Sequence, residues 1–179
     1  TLDYGPYGFI DNFSPSHVCN LSDSSGRYSY QNQPYVGMWN CSALAHTFSH
    51  LIDKGEISRI MSMYEKTYAE KLFTLYKNKL GIKKVVEADE FLIQELLGLM
   101  EVKKLDFTRT FRSLSNILNN NHSIQVDESL KSWSQKFKER HSIEDGDINL
   151  RITHMNQINP KFILRNYLLQ NAIDLAEEG

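Results

Sequence analysis

The sequence predicts a mainly α protein in which a long irregular loop precedes a helical body. Three of the four prolines fall within residues 1–37, among many Ser and Asn residues, a composition typical of a loop. From Trp39 onward, apolar residues recur at helical spacing. Hydrophobic residues make up 41% of the 179 residues, enough for one packed domain or a large part of one. We therefore divide the chain into a loop, residues 1–37, and a helical body, residues 38–179.

The loop is long enough to suggest a function, because structureless loops of this length are uncommon inside compact domains. A disordered linker is the alternative interpretation. Aromatic residues argue against the linker, since they give the segment something to bury. They are Phe9, Phe13, Tyr28, Tyr30 and Tyr35.

Two helices are expected in the first half of the body. Apolar residues at helical spacing run from Trp39 to Ile52, and residues 53–55 should close that segment. A second helix is predicted over residues 56–80, with Gly81 as its C-terminal stop.

The second half should hold further helices with identifiable caps. After a helix over residues 88–104, Asp106 is expected to be the N-cap of the next one, which the asparagines at 119–121 should end. Asp127 is expected to cap another helix, followed by a loop at 141–147 and a short helix to about Asn156. The pair Asn159-Pro160 predicts the start of a last helix, apolar on more than one face and among the more buried elements.

The charge and cysteine content exclude several classes of protein. The net charge is −2, which argues against a general binder of nucleic acid or of an anionic membrane. No apolar run approaches the roughly 20 residues that span a bilayer. The chain shows no secretory leader and does not begin with Met, so we expect a missing upstream portion. Two cysteines, Cys19 and Cys41, are too few for a disulfide scaffold and suit a reducing compartment.

The opening motif is the strongest candidate site. Asp3 follows two residues that could end a strand and precedes glycines and a proline that turn the backbone. A magnesium ion bound to nucleotide phosphates needs only one or two protein carboxylates, so a single Asp on a stiff turn suffices. The alternative is a turn-forming Asp that bonds its own backbone.

Other polar residues have ordinary explanations beside functional ones. Asp11 is more readily a solvated or capping residue than the second carboxylate of a pair. His46 and His50 have a spacing compatible with zinc on a helix, but no third ligand is evident, and ordinary histidines are favoured. Four arginines could grip a phosphate, although structural salt bridges are favoured, above all for the last of them, which is expected within an apolar helix. They are Arg27, Arg109, Arg112 and Arg165.

Several blocks along the chain together carry a family resemblance. They are Asp3-Tyr4-Gly5-Pro6-Tyr7-Gly8-Phe9, Gly26-Arg27-Tyr28, Trp39-Asn40, Asp106-Phe107-Thr108-Arg109-Thr110-Phe111-Arg112, Asn159-Pro160 and Leu164-Arg165-Asn166. In this order they resemble the selenoprotein O family, which includes the bacterial YdiU proteins, over nearly the whole chain. The resemblance implies a protein-kinase-like fold and transfer of AMP from ATP to Ser, Thr or Tyr hydroxyls of proteins.

The resemblance also assigns parts of the chain. Asp3 matches the family's metal- and nucleotide-binding position, with ATP and Mg²⁺ or Mn²⁺ as the implied cofactors. The chain would be a C-terminal fragment, a helical C-lobe behind an activation-segment-like loop. The N-lobe and the catalytic base would lie upstream of Thr1, so no catalytic residue is expected in this chain and the fragment alone should be inactive.

Regulation and location follow from the resemblance in the same way. Cys19 stands at a motif where a cysteine of some members forms a regulatory disulfide with a cysteine near the C-terminus. In the alternative, Cys19 and Cys41 are simply buried thiols. The implied location is cytoplasmic in a bacterium and mitochondrial in a eukaryote. A catalytically silent ATP-binding pseudokinase scaffold, or a helical interaction domain without nucleotide, remains an alternative function.

Overall fold

A computed structural model describes residues 8–20, 22–119 and 127–179. The chain divides into two compact units by its internal contacts, and the boundary falls inside a helix. Unit 1 contains Pro15–Thr74, and unit 2 contains Gly8–Ser14 and Leu75–Gly179. The metal-binding turn predicted at Asp3 lies outside the described residues.

The described residues form seven α-helices and two 3-10 turns, which confirms a mainly helical fold. The helices are α1 (Gln33–Thr47), α2 (Lys54–Lys79), α3 (Ala88–Val102), α4 (Phe107–Leu118), α5 (Lys131–Ser142), α6 (Ile148–Ile158) and α7 (Asn166–Glu178). The 3-10 turns, Tyr30–Asn32 and Glu128–Leu130, precede α1 and α5. No strand occurs in this part of the chain, although Asn12 and Asp106 form an isolated antiparallel bridge.

Unit 1 consists of a loop, α1 and most of α2. Pro34 stands in the first turn of α1, where its missing N–H costs nothing, so the helix begins before the predicted start near Trp39. The predicted continuation to Ile52 is wrong, because α1 ends at Thr47. Between the helices, the hydroxyl of Tyr64 in α2 donates a hydrogen bond to the carbonyl of Pro34, at 3.1 Å.

Unit 2 holds the main hydrophobic core, formed by α3, α4, α5 and α6. Its largest fully buried side chains are Trp133, Phe111 and Phe137. The indole of Trp133 stacks on Phe137 with ring centroids 5.0 Å apart, and its Nε1 donates to the carbonyl of Leu92 at 2.9 Å. The bond satisfies the one polar atom of a fully buried indole, so the ring lies in the core without an unpaired donor.

The predicted helix boundaries in unit 2 are mostly confirmed. Asp106 caps α4 by accepting a hydrogen bond from the backbone N of Arg109, and Asp127 accepts one from the backbone N of Ser129 at the start of the turn before α5. Gly81 follows α2 with a φ of +74°, and a side chain there would meet Met155. A glycine therefore ends this helix for two reasons, backbone conformation and close packing.

The predicted last helix is wrong in position and in burial. Asn159 is the C-cap of α6, in extended conformation, and its side chain donates to the carbonyl of Lys79 at 2.8 Å. Pro160 therefore follows the end of one helix and does not begin the next. The last helix, α7, begins at Asn166 and buries none of its residues.

A buried charge cluster fastens the loop between α2 and α3 to the end of α5. Arg140 donates to both oxygens of Asp89, at 2.5 and 3.0 Å, and to the carbonyl of Lys84. Its Nη1 lies 2.9 Å from an oxygen of Glu144, close enough for an ion pair although not aligned for a hydrogen bond. Glu144 in turn accepts hydrogen bonds from the backbone N–H groups of Lys83 and Lys84. The buried charges are thus paired, as burial requires.

Candidate functional site

The described part of the candidate site is the segment Gly8–Ser14, which we call the anchored segment. It begins five positions after Asp3 in the sequence. The backbone N of Phe107 donates to the carbonyl of Asp11 at 2.8 Å, and the backbone N of Phe13 donates to the carbonyl of Leu105 at 2.8 Å. The ring of Phe13 is buried, with its centroid 5.7 Å from that of Phe107. These contacts fix the segment to the corner between α3 and α4.

Arg165 holds the same corner by its charge. Its Nη1 donates to a carboxylate oxygen of Asp11 and, at 2.6 Å, to one of Asp106. The side chain of Arg165 is only 15% exposed. The hydrogen bond to Asp106 is the largest cause that raises the pKa of Arg165 above its ordinary value, and the hydrogen bond to Asp11 is the next largest. We call Arg165, Asp11 and Asp106 the Arg165 clamp. Its one positive and two negative charges give it a net charge of −1.

Asp106 serves two elements at once. One of its oxygens accepts from the backbone N of Arg109 at 2.7 Å and caps α4, while the other accepts from Arg165. An N-cap carboxylate is already favoured by the positive end of the helix dipole. The clamp is therefore built on a carboxylate whose orientation is set by α4.

Arg165 was expected within an apolar helix, and this position is wrong. It is the N-cap residue of α7, with an extended backbone at φ −78° and ψ 142°. The next residue, Asn166, lies against the anchored segment, because a Cβ added to Gly8 would be 3.2 Å from its side-chain oxygen. The start of α7 thus reaches both ends of the stretch from Gly8 to Asp11.

The structural salt bridges favoured for the arginines are confirmed for Arg165. Arg112 donates to the carbonyls of Asn156 and Asn159, at 2.6 and 2.9 Å. Arg27 lies over the ring of Trp39, 4.8 Å from its centroid. Since Arg112 is bound to carbonyls, the proposed two-pronged phosphate grip with Arg109 gains no support.

The remaining loop of unit 1 is organised by Asp23. One oxygen of Asp23 accepts from the backbone N of Arg27 at 3.1 Å and from the hydroxyl of Ser25 at 3.0 Å, while the other accepts from the backbone N of Tyr28 at 2.7 Å. The Tyr28 bond is the largest cause that lowers the pKa of Asp23. Sequence reasoning missed this role, although Asp23-Ser-Ser-Gly26 has the Asp and Gly of a type I turn.

The two cysteines are both exposed and form no disulfide with each other. The expectation that they are buried thiols is therefore wrong. The Sγ of Cys19 lies 3.7 Å from Nε2 of His17. The redox role implied for Cys19 stays a prediction.

The zinc interpretation of the histidines finds no support in the structure. His46 is in the last turn of α1, but His50 lies beyond the end of that helix at Thr47, so the two do not share a helix face. Within residues 8–20, 22–119 and 127–179, no three His, Cys, Asp or Glu residues come together in a way that could hold a metal ion.

The donor chemistry at the start of the chain fits a hard cation held partly by phosphate. Asp3 offers one carboxylate, and the anchored segment that follows it is fixed by backbone and ionic contacts. Mg²⁺ and Mn²⁺ accept such oxygen ligands, and Mg²⁺ commonly keeps other positions for phosphate and water.

Comparison with known proteins gives a match over the whole chain. The family model described as "Protein adenylyltransferase SelO" matches residues 1–179.

Among the described residues, no helix has the length and apolar character needed to cross a membrane.

Relatives of this chain include bacterial proteins named protein nucleotidyltransferase YdiU. A protein nucleotidyltransferase YdiU from Aliivibrio salmonicida is 39% identical over 184 residues, which cover 100% of this chain and 38% of the relative. The protein of the same name from Vibrio atlanticus is 40% identical over 184 residues, with the same coverage. That of Vibrio parahaemolyticus is 37% identical over 190 residues, 39% of its length. The chain thus spans about two-fifths of the length of these relatives.

Proposed function

This chain belongs to the SelO family, and we propose on that basis that the full-length protein is a protein adenylyltransferase. It transfers AMP from ATP to Ser, Thr or Tyr hydroxyl groups of other proteins. The observation that carries the proposal is the family match over residues 1–179, which includes the Asp3-Tyr4-Gly5 motif. The name of the bacterial relatives, protein nucleotidyltransferase, supports transfer of a nucleotide to a protein.

In this proposal Asp3 holds the divalent cation that accompanies ATP. Bound Mg²⁺ or Mn²⁺ supplies positive charge to the phosphate oxygens. A substrate hydroxyl oxygen attacks the α-phosphorus, the bond to the bridging α–β oxygen breaks, and pyrophosphate leaves. The hydroxyl proton goes to a base outside this chain. The role of this chain is to position the Asp3 carboxylate, since such catalysis rests on alignment and electrostatics.

The fold proposal accompanies the chemical one. We propose that the helices form the C-lobe of a kinase-like protein and that residues 1–37 act as its metal-binding turn and activation-like loop. The N-lobe would come from sequence beyond this chain. The anchoring of Gly8–Ser14 to the helices supports this arrangement, because a metal-binding turn needs a fixed base.

The test uses full-length protein, a protein substrate and MgCl₂ or MnCl₂, with ATP labelled at either the α- or the γ-phosphate. AMP transfer incorporates the α label and not the γ label. Asp3→Ala should abolish incorporation, whereas Asp145→Asn, which changes an exposed acid of unit 2, should retain it. Incorporation of the γ label would indicate phosphoryl transfer instead.

The alternatives give different results in the same experiment. A silent pseudokinase scaffold would bind ATP with metal but incorporate neither label. A helical interaction domain would not bind nucleotide at all. Isothermal titration of ATP into the full-length protein, with and without the cation, separates these two.

A further inference from the structure

We propose that a groove beside α4, which we call the basic groove, binds an acidic segment of another protein. The groove encloses about 1100 Å³, and all the residues that line it belong to unit 2. Five basic and three acidic side chains line it, although the whole chain has a net charge of −2. The basic residues are Lys103, Lys104, Arg109, Arg112 and Lys161. Positive charge is thus concentrated at one place on this chain, which attracts an anionic partner whatever reaction the full-length protein performs.

One side of the basic groove is the polar face of α4. Arg109, Arg112, Ser113 and Asn116 stand at positions i, i+3, i+4 and i+7, so they lie along one side of the helix. The other side of α4 packs into the core, where Phe111 is fully buried. The helix therefore presents a row of polar side chains that the packing of unit 2 leaves open.

The cations of the basic groove form no salt bridges, whereas two of its acids are already engaged. Among the described residues, no carboxylate lies within salt-bridge distance of any of the five basic side chains. Asp106 is paired with Arg165 and caps α4. Asp127 accepts hydrogen bonds from the backbone N and the hydroxyl of Ser129. The positive charges are therefore available to carboxylates from outside the chain.

Lys104 occupies a backbone position at which glycine is the usual residue. Its φ is +52°, and it follows the end of α3. Its backbone N donates to the carbonyl of Glu101, and the next backbone N, of Leu105, donates to that of Met100. This pair of bonds is the Schellman motif, whose left-handed residue is commonly glycine because a side chain costs free energy there. The charge that the lysine brings to the basic groove accounts for a side chain at this position.

The basic groove suits an extended acidic peptide better than a single phosphate group. Its exposed cations come from separate places: Lys103 and Lys104 follow α3, Arg109 lies in α4 and Lys161 follows α6. The N-terminus of α4, which could otherwise hold a phosphate, is already capped by Asp106. Carboxylates spaced along a peptide can pair with several of these cations, whereas one phosphate group requires donors that converge on one point.

The basic groove also contains a fixed hydrogen-bond donor for a peptide main chain. Arg112 donates to the carbonyls of Asn156 and Asn159, at 2.6 and 2.9 Å, so it adds charge to the groove while holding the end of α6. The hydroxyl of Ser115 donates to Oδ1 of Asn156 at 2.9 Å. The Nδ2 of Asn156 has no acceptor among the described residues, so it can donate to a carbonyl of a bound peptide.

The experiment measures peptide binding to the full-length protein by fluorescence anisotropy, without nucleotide or metal. The probe is a fluorescein-labelled hexaglutamate with Gly-Ser ends, and the control peptide has Gln in place of every Glu. Wild-type protein should bind the Glu peptide about 10-fold or more tightly than the Gln peptide, because only the Glu peptide offers charges to the exposed cations. The difference should shrink several-fold between about 50 and 200 mM NaCl, since salt screens exposed charges.

Three variants locate the binding. Arg109→Gln should weaken binding of the Glu peptide roughly 2- to 5-fold, the range for one exposed charge pair. Lys104→Gly should weaken it by a similar factor and yet keep or raise the melting temperature, because glycine relieves the left-handed backbone. Lys83→Gln is the matched control: it removes the charge of an exposed lysine of unit 2 that does not line the groove, so it should leave binding unchanged.

Each other outcome contradicts the proposal. Equal wild-type binding of the two peptides would show that the groove does not select acidic segments. Equal weakening in Lys83→Gln, or no weakening in Arg109→Gln and Lys104→Gly, would show that the groove is not where the peptide binds. Inorganic tripolyphosphate is titrated in parallel; if it binds more tightly than the Glu peptide and loses affinity in the same two variants, the groove is a phosphate site instead. AMP transfer enters none of these measurements, so the proposed function stands or fails separately on its labelled-ATP test.

Discussion

The loop of unit 1 and the anchored segment of unit 2 are held by partners at very different sequence separations. Asp23 organises its loop through Ser25, Arg27 and Tyr28, all within five residues. The anchored segment depends on Asp106 and Arg165, up to 154 residues away. The first arrangement is turn chemistry that a short peptide encodes, whereas the second exists only after the helices have packed.

The two units also differ in how many hydrophobic side chains they bury. Val36 is the one buried hydrophobic residue among the described residues of 15–74, whereas α3, α4 and α5 bury large side chains such as Phe111 and Trp133. Unit 1 instead exposes several large apolar side chains on or near its two helices. They include Tyr35, Trp39, Leu44, Phe48, Leu51, Ile60 and Met63. We therefore expect substitutions in unit 2 to affect global stability and substitutions in unit 1 to act locally.

The two tryptophans give the largest contrast. Trp133→Ala removes a fully buried ring together with its hydrogen bond to the carbonyl of Leu92, so it should lower the free energy of unfolding by about 3–5 kcal/mol. Trp39→Ala removes a ring that is 59% exposed and stacks under Arg27, and should cost about 1 kcal/mol or less. Urea unfolding followed by far-UV circular dichroism measures both, and equal losses would contradict the difference in packing.

His141, a buried residue of unit 2, should make the stability of the protein depend on pH. Burial, followed by the charge of Arg151, lowers the pKa of His141 to about 4 from its ordinary 6.5. Its Nε2 donates to the carbonyl of Leu80 at 2.9 Å, and Arg151 lies 3.3 Å from its Nδ1, so the neutral ring is the form that fits. The unfolded chain therefore binds the extra proton between these two pKa values.

Stability from this neutral ring should be fully present above pH 6.5 and lost as the pH falls towards 4. The maximum loss is about 3 kcal/mol, because the pKa of His141 falls from 6.5 to about 4 and each pH unit between these values is worth about 1.36 kcal/mol. Glu144 and Arg140 also face this ring, and the pKa of Glu144 is itself lowered, so the comparison is best made between pH 5 and 7. His141→Gln, which keeps a donor and an acceptor, should flatten the slope in this window; an unchanged slope would exclude His141 as its source.

The smallest global effect is expected for Asp23. Asp23→Ala removes the acceptor of the Arg27 and Tyr28 amides, so their hydrogen exchange should accelerate, while the free energy of unfolding changes little. Because the Tyr28 bond holds the pKa of Asp23 below its ordinary 3.8, wild-type protection of these amides should also fade below that pH. A large global loss would show that this loop supports the fold as a whole.

Helix placement was predictable from the sequence wherever a cap and a periodic apolar pattern agreed. Asp106 and Gly81 are such cases, and both mark helix ends in the structure. Asn159-Pro160 carries the same kind of local signal but was interpreted wrongly. The side chain of Asn159 is buried against Lys79, so it ends α6, a choice that depends on a partner 80 residues away.

The candidate site was predictable only in part. The sequence motif points to Asp3, and nothing in the described residues tests that assignment. Asp11 gave no sequence signal beyond that of an ordinary surface acid, because its partner, Arg165, comes near it only in the folded chain. A charge pair of this separation has no periodicity or spacing by which it can be recognised in a single sequence.

The sequence by itself determined the helical class, most helix ends and the family, since these depend on neighbouring residues and on an ordered series of motifs. Tertiary structure decided which charges are paired: Arg165 with Asp11 and Asp106, and Arg140 with Asp89. The physical reason is that an ion pair depends on distance in space, which only the packing of unit 2 sets, whereas a cap or a turn depends on distance along the chain.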